Sequence, residues 1–178
     1  MNSKLREILS TTIYFFVVIL LTFLLVKYVG QRTVVIGGSM RSTLEDGDNL
    51  LLNKISYRFN EPERFDIVIF PFRDKSNKSY VKRIIALPGE NIRIDEDGVI
   101  YIDGEVLEES YGREVIKRAG RAAGDGVTLG EDEYFVMGDN RNNSEDSRFE
   151  EVGLVKRSEF LGKSTFRLWP LSKFGKIE

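Results

Sequence analysis

Two residues have the type and setting for nucleophilic catalysis: Ser39, within VVIGGSMRSTL, and Lys82, within YVKRIIALPG. Two glycines before a serine let the backbone approach a substrate closely and can aim N–H groups at a developing oxyanion. The same residues also fit an ordinary Gly-Ser turn between strands. A neutral amine can take the proton of a serine hydroxyl, but free lysine is protonated at neutral pH. Apolar neighbours must desolvate it before it can act as a base. Lys82 lies in a β-branched run suited to burial, although strand lysines mostly lie at the surface. Alternation along that strand sends Arg83 to the opposite face. One of the two is therefore expected to face the core or a cleft, and the other solvent.

What the chain lacks narrows the chemistry further. Its 178 residues contain no histidine and no cysteine. Ser-His-Asp and Cys-His catalysis, thiol nucleophiles, disulfides and Cys- or His-ligated metals are all excluded. A hydrolase built from this chain must draw its base from Lys, Asp, Glu or Tyr. The net charge of −2, with basic residues spread along the chain, gives no footprint for nucleic acid. With 42% apolar and 30% charged residues the composition is that of a folded protein, long enough for one sizeable core.

A third polar stretch, GDNRNNSEDSR (Gly138–Arg148), cannot be core. As a calcium loop from Asp139 to Glu150 it fails, because Arg141 takes a ligand position and Ser144 stands where the sharp turn needs glycine. It reads instead as a loop whose Asp and Arg side chains bond backbone and one another. Asn142-Asn143-Ser144 matches a glycosylation sequon, too short a pattern to carry weight.

The elements that must position these residues fall into two kinds. Ile8–Val26, ILSTTIYFFVVILLTFLLV, is uncharged. As a helix it reaches roughly 28 Å, close to the hydrocarbon thickness of a bilayer. Ser10, Thr11, Thr12 and Thr22 can bond back to helix carbonyls, so lipid tolerates them. The segment that follows, KYVGQRTVVIGG, has no A-x-A-like cleavage site, so the span reads as a retained anchor. Basic residues on its two flanks nearly tie, leaving orientation open. Beyond residue 30 short strand runs recur: Thr33–Ile36, Leu50–Ile55, Asp66–Phe70, Tyr80–Ala86, Asn91–Ile94, Val99–Ile102, Glu133–Met137 and Ser164–Trp169. Asp95–Gly98 and Asp103–Gly104 read as turns, the first closing a hairpin. The small-residue stretch Arg118–Gly126 reads as a surface loop. The whole is a mostly β, antiparallel, barrel-like or folded-sheet domain behind one N-terminal transmembrane helix.

Taken in order, these segments resemble the bacterial type I signal peptidases, especially the small Gram-positive form. The resemblance rests on the anchor, Ser39-Met40-x-x-Thr43-Leu44, Asp66–Phe70, Lys82–Glu90, Gly138–Arg148 and the tail Gly162…Trp169-Pro170. It implies a Ser/Lys protease that removes signal peptides from translocated preproteins after small residues, A-x-A, without a metal or cofactor. Ser39 matches the nucleophile and Lys82 the general base. Ser144 matches a hydroxyl that positions the lysine, and Asp146 and Arg148 a structural ion pair. The Ser39 N–H would hold the oxyanion; Gram-negative members add a serine hydroxyl where this chain has Gly37. The pocket for the residue before the cut corresponds to Val35, Met40, Leu44, Tyr80 and Val81. Thr33 and Ile69 join Val35 and Val81 in the pocket two residues earlier.

The resemblance also implies a topology and a set of partners. Residues 1–7 would be cytoplasmic, 8–29 the anchor, and 30–178 the extracytoplasmic catalytic domain, with a smaller inserted subdomain at about 91–132. The partners would be signal-peptide-bearing preproteins, the lipid bilayer and, further, the secretion translocon. Two positions depart from the family. Ser42 replaces its usual proline, which predicts a looser turn after the nucleophile. Phe65 replaces a frequent glycine, and a phenylalanine strained at positive φ predicts a different turn there. The self-cleaving repressors, which share the dyad, would carry a DNA-binding domain in place of the membrane span. A catalytically weak or non-enzymatic relative serving as a surface-protein assembly factor is the remaining alternative, set against the presence of both Ser39 and Lys82.

Overall fold

Ser3–Tyr28 form one helix, α1, in the computed structural model, which describes residues 3–72, 79–112 and 114–177. Residues 1–2, at the head of the expected 1–7 segment, lie outside the described residues. The apolar 18-residue stretch of α1 has a mean hydropathy of 2.5 and is not buried against the rest of the protein. A helix apolar on every side needs an apolar surrounding. Its 26 residues rise roughly 39 Å, enough to cross a hydrocarbon layer with some tilt. The helix is therefore a candidate membrane span. Ser10 Oγ donates to Glu7 O and Thr12 Oγ1 to Ile8 O, both at 2.9 Å, so these hydroxyls are satisfied within the helix.

The chain leaves α1 at Val29 and enters the sheet at once. The elements that follow are β1 (Gly30–Val34), β2 (Asn49–Asn53), a single helical turn α2 (Ser56–Phe59), β3 (Ile67–Pro71), β4 (Ser79–Ala86), β5 (Asn91–Ile94), β6 (Ile100–Ile102), β7 (Glu105–Val106), β8 (Val127–Thr128), β9 (Glu133–Met137), β10 (Val155–Lys156), β11 (Gly162–Trp169) and β12 (Gly175–Lys176). Every pairing among the described residues is antiparallel. An eight-stranded sheet runs β1-β2-β11-β3-β4-β9-β10, with β12 beside β11. The mostly β, antiparallel expectation holds. The sheet follows an open path with β1 at one edge, rather than a closed barrel.

A second, four-stranded sheet runs β7-β6-β5-β8. Its β5–β6 hairpin turns at Asp95–Gly98, where Gly98 has φ +80 and a Cβ would come within 2.7 Å of the Ile116 backbone. Only glycine fits such a place. The sheet rests on the main one through a shared core: Ile92, Ile94 and Ile100 pack with Ile85, Phe135 and Met137. The stretch Arg118–Gly126 is more than a surface loop. Ala122 is buried, and Gly120 sits so close to Arg148 that a Cβ would meet its carbonyl oxygen at 2.2 Å. Small residues are there because backbone packs on backbone.

Both departures from the family pattern occupy positive-φ turns. Phe65 keeps φ +72 rather than reshaping its turn. Its N–H donates to Ile84 O at 2.8 Å, its carbonyl accepts from Arg83 Nη1 at 2.9 Å, and its ring packs on Tyr111 with centroids 5.2 Å apart. These contacts hold a conformation that the side chain alone disfavours. Ser42 has φ +101, which a proline ring cannot adopt. The turn here is a different one from that a proline would fix.

Candidate active site

Ser39 opens a tight turn just beyond β1. Thr43 and Leu44 N–H donate to Met40 O at 3.0 and 2.8 Å, curling residues 40–44. Met40 and Leu44 anchor that turn in an apolar cluster with Val35, Leu50 and Ile67. From outside the turn, Asn140 N–H donates to Ser39 O at 3.0 Å and Asn140 Nδ2 to Gly38 O at 2.9 Å. The nucleophile segment is thus fixed on both sides. The Ser39 N–H itself makes no hydrogen bond to another described residue. The Gly37 N–H is taken by Asp46 Oδ1 at 2.8 Å, and at φ +90 a serine there would be strained.

Lys82 stands in the middle of β4, flanked by β3 and β9. It is 2% exposed, and its Nζ lies 2.7 Å from Ser39 Oγ. An ammonium donates across that distance; a neutral amine accepts from the hydroxyl instead. Burial pulls the amine down from an ordinary 10.5 to about 8. The Asp146 and Glu145 carboxylates pull it partly back up, and the Arg148 guanidinium opposes them. At neutral pH about a tenth of the amine is then unprotonated, roughly 300-fold more than for free lysine.

Arg83 corrects the expectation that one of the pair faces solvent, since it is also 2% exposed. The 138–148 loop brings Asp139 to it: Nε and Nη2 donate to the two carboxylate oxygens at 2.9 and 2.8 Å. Thr43 Oγ1 donates to the same carboxylate at 2.5 Å, tying the nucleophile turn to this pair. Asp146 and Arg148 form the second buried pair, bidentate at 2.8 and 2.9 Å. Arg148 also donates to Arg141 O and Arg118 O, and Asp146 accepts from the Gly138 N–H. The loop is satisfied only in part from within, by Asp146 and Arg148; Asp139 pairs outside it with Arg83 and Thr43, and Arg141 with Glu109. Ser144 lines the same cleft as Ser39 and Lys82, but its buried Oγ has no partner among the described residues, Lys82 included.

A family model for the signal peptidases, peptidase S26, matches residues 8–169 of the chain. A signal peptidase I of Bacillus caldolyticus is 39% identical over 170 residues, covering 89% of this chain and 90% of that one. A probable signal peptidase I-2 of Synechocystis is 37% identical over 153 residues, 83% of this chain and 67% of that one. The chain belongs to the signal peptidase family, peptidase S26. A crystal structure of a signal peptidase I from Enterococcus faecalis V583 aligns at 32% identity and a TM-score of 0.45, covering 58% of this chain and 97% of that one.

As a member of that family the chain is a serine endopeptidase of the type I signal peptidase class, and nothing favours the non-enzymatic alternative. Its cleft, of ≈ 480 Å³, is lined by Val35, Ile36, Gly37–Met40 and Tyr80–Lys82 on one side and by 141–145 on the other. Of the pocket residues expected from the family, Val35, Met40, Tyr80 and Val81 reach the cleft wall. Leu44 and Ile69 lie in the core behind it, each 1% exposed, and Thr33 pairs with Leu50 in the sheet outside the lining. Ile36, 82% exposed, and the Phe72 ring stacked on Tyr80 at 3.6 Å add apolar wall that the sequence reading did not assign. Asn140, Asp139 and Arg83 were missed as supports of the nucleophile turn. The one available signal was polar side chains in segments that must pack.

Proposed function

We propose that the protein removes N-terminal signal peptides from translocated preproteins after A-x-A sites, with Ser39 as nucleophile and Lys82 as general base. The observation that carries this reading is the 2.7 Å approach of a buried amine to a serine hydroxyl at the wall of a cleft that both residues line. Neutral Lys82 accepts the hydroxyl proton as Oγ attacks the scissile carbonyl. The Ser39 N–H donates to the resulting oxyanion. The lysine then returns the proton to the leaving amine, and a water deacylates the serine by the same relay. The substrate adds as a strand beside the open edge of β1, reading backbone and a few shallow apolar pockets.

The same reading places residues 1–7 in the cytoplasm, 8–29 across the membrane and 30–178 outside, with the secretion translocon as a neighbour. The about 91–132 segment is an inserted unit in this reading: its strands β5–β8 come in the chain between β4 and β9, which pair directly in the main sheet. The test uses full-length protein in detergent and a precursor bearing A-x-A. A single cut after the second alanine is expected, and a tryptophan in place of that alanine slows it at least about 100-fold. Cutting that ignores the size of this residue overturns the reading.

The base also sets the pH dependence. kcat/KM is expected to rise tenfold per pH unit on the acid side and to level off near pH 8, because only the neutral amine accepts the proton. An inflection near the pKa of free lysine would remove Lys82 from the role.

A further inference from the structure

A second cavity, of ≈ 520 Å³, opens where α1 meets the sheet, lined among others by Lys27, Tyr28, Lys54, Arg58, Arg157 and Leu161. Four cationic side chains face it, on a protein whose net charge is −2. Arg157 is committed: its Nε lies 2.9 Å from Glu61 and its Nη2 donates to Tyr57 O at 3.0 Å. The other three pair with no carboxylate among the described residues. Lys54 Nζ sits at the C-terminal end of α1, 3.4 Å from Val26 O and from Lys27 O. Lys27 Nζ lies 5.0 Å from the Tyr28 ring, and the Arg58 guanidinium 5.7 Å from the same ring. Asp132 is the one acid in the lining. Cations held only by a helix end and a ring face retain donors for an anion.

The cavity's height decides which anion. Lys27 and Tyr28 end α1, so with α1 across the bilayer they stand at headgroup level, where basic and aromatic residues collect. The anions concentrated at that depth are lipid phosphates, which attract nearby Lys and Arg side chains. Exposed Leu161 on the rim offers apolar surface to the acyl chains below. We propose that this cavity binds the headgroup phosphate of an anionic phospholipid. The inference rests on the reading of α1 as the membrane span.

The test titrates full-length protein in nonionic detergent with phosphatidylglycerol or phosphatidylcholine and reads bound lipid by native mass spectrometry. Wild type should hold phosphatidylglycerol in preference, and Lys27→Gln/Arg58→Gln, both exposed positions, should need at least about tenfold more. Lys54→Gln should weaken binding likewise, and Lys54→Arg should keep it. Equal retention by wild type and the double variant overturns the proposal. So does displacement of the lipid by inorganic phosphate, which would mark a site for free anions. Flotation with vesicles separates the two readings. Wild type that floats without preferring phosphatidylglycerol overturns the headgroup site alone. Failure to float overturns the span and the site together.

Discussion

Ser39→Ala and Lys82→Met are each expected to lower kcat for precursor cleavage at least about 1000-fold, and the double variant no further than the worse single one. Non-additivity follows because the two groups perform one step: without Oγ the amine has no proton to take, and without the amine Oγ keeps its own. The stability readout separates this from unfolding. Lys82 has a folded pKa of about 8 against an ordinary 10.5, so the unfolded state binds more protons between those values. Burying the amine therefore lowers stability by about 3 kcal/mol below pH 8, and the penalty fades as pH rises toward 10.5. A methionine fills the same space without charge. Lys82→Met should accordingly unfold no earlier than wild type at pH 7 while cutting nothing. A Lys82→Met enzyme that still cleaves at the wild-type rate would dissolve the dyad.

Arg148→Met is expected to destabilise the fold by about 3–5 kcal/mol in denaturant unfolding, since it leaves the Asp146 carboxylate buried without its partner. The loss should shrink sharply in Arg148→Met/Asp146→Leu, where no charge is left behind. A purely structural role predicts only that. The electrostatics add a second effect, because Arg148 lowers the Lys82 pKa and Asp146 raises it. With Arg148 gone, the acid limb of the pH profile should move to higher pH, and in the double variant it should move back. An unshifted limb in Arg148→Met would show that the pair does not bear on the base.

Much of this was legible in the sequence, for physical reasons that differ between elements. Short apolar runs such as Asn91–Ile94 and Glu133–Met137, rich in β-branched or aromatic residues and bounded by turn residues, became strands with the expected bounds. The two-residue strands β7, β8, β10 and β12 were not legible, since so short a stretch has no period. The chemistry of Ser39 and Lys82 could be narrowed by the absence of histidine and cysteine, and family resemblance then picked out the residues. Their support could not be read, because Asn140 reaches Gly38 from a distant part of the chain. Strand alternation put one of Lys82 and Arg83 in solvent, and local preference gave Phe65 a different turn; the Asp139 pair and the Arg83–Phe65 bond overrode both.

The short strand β1 has a consequence of its own. It starts two residues after α1 ends and is paired to β2 along its whole length, from Gly30↔Asn53 to Val34↔Asn49. Five residues of paired strand span roughly 16 Å and do not stretch. In the proposed topology that strand is a gauge standing on the bilayer, with Ser39 mounted at its upper end. A precursor is then measured before it is read: its own apolar segment fixes how far its scissile bond projects, and only bonds at the gauge's height come to the serine.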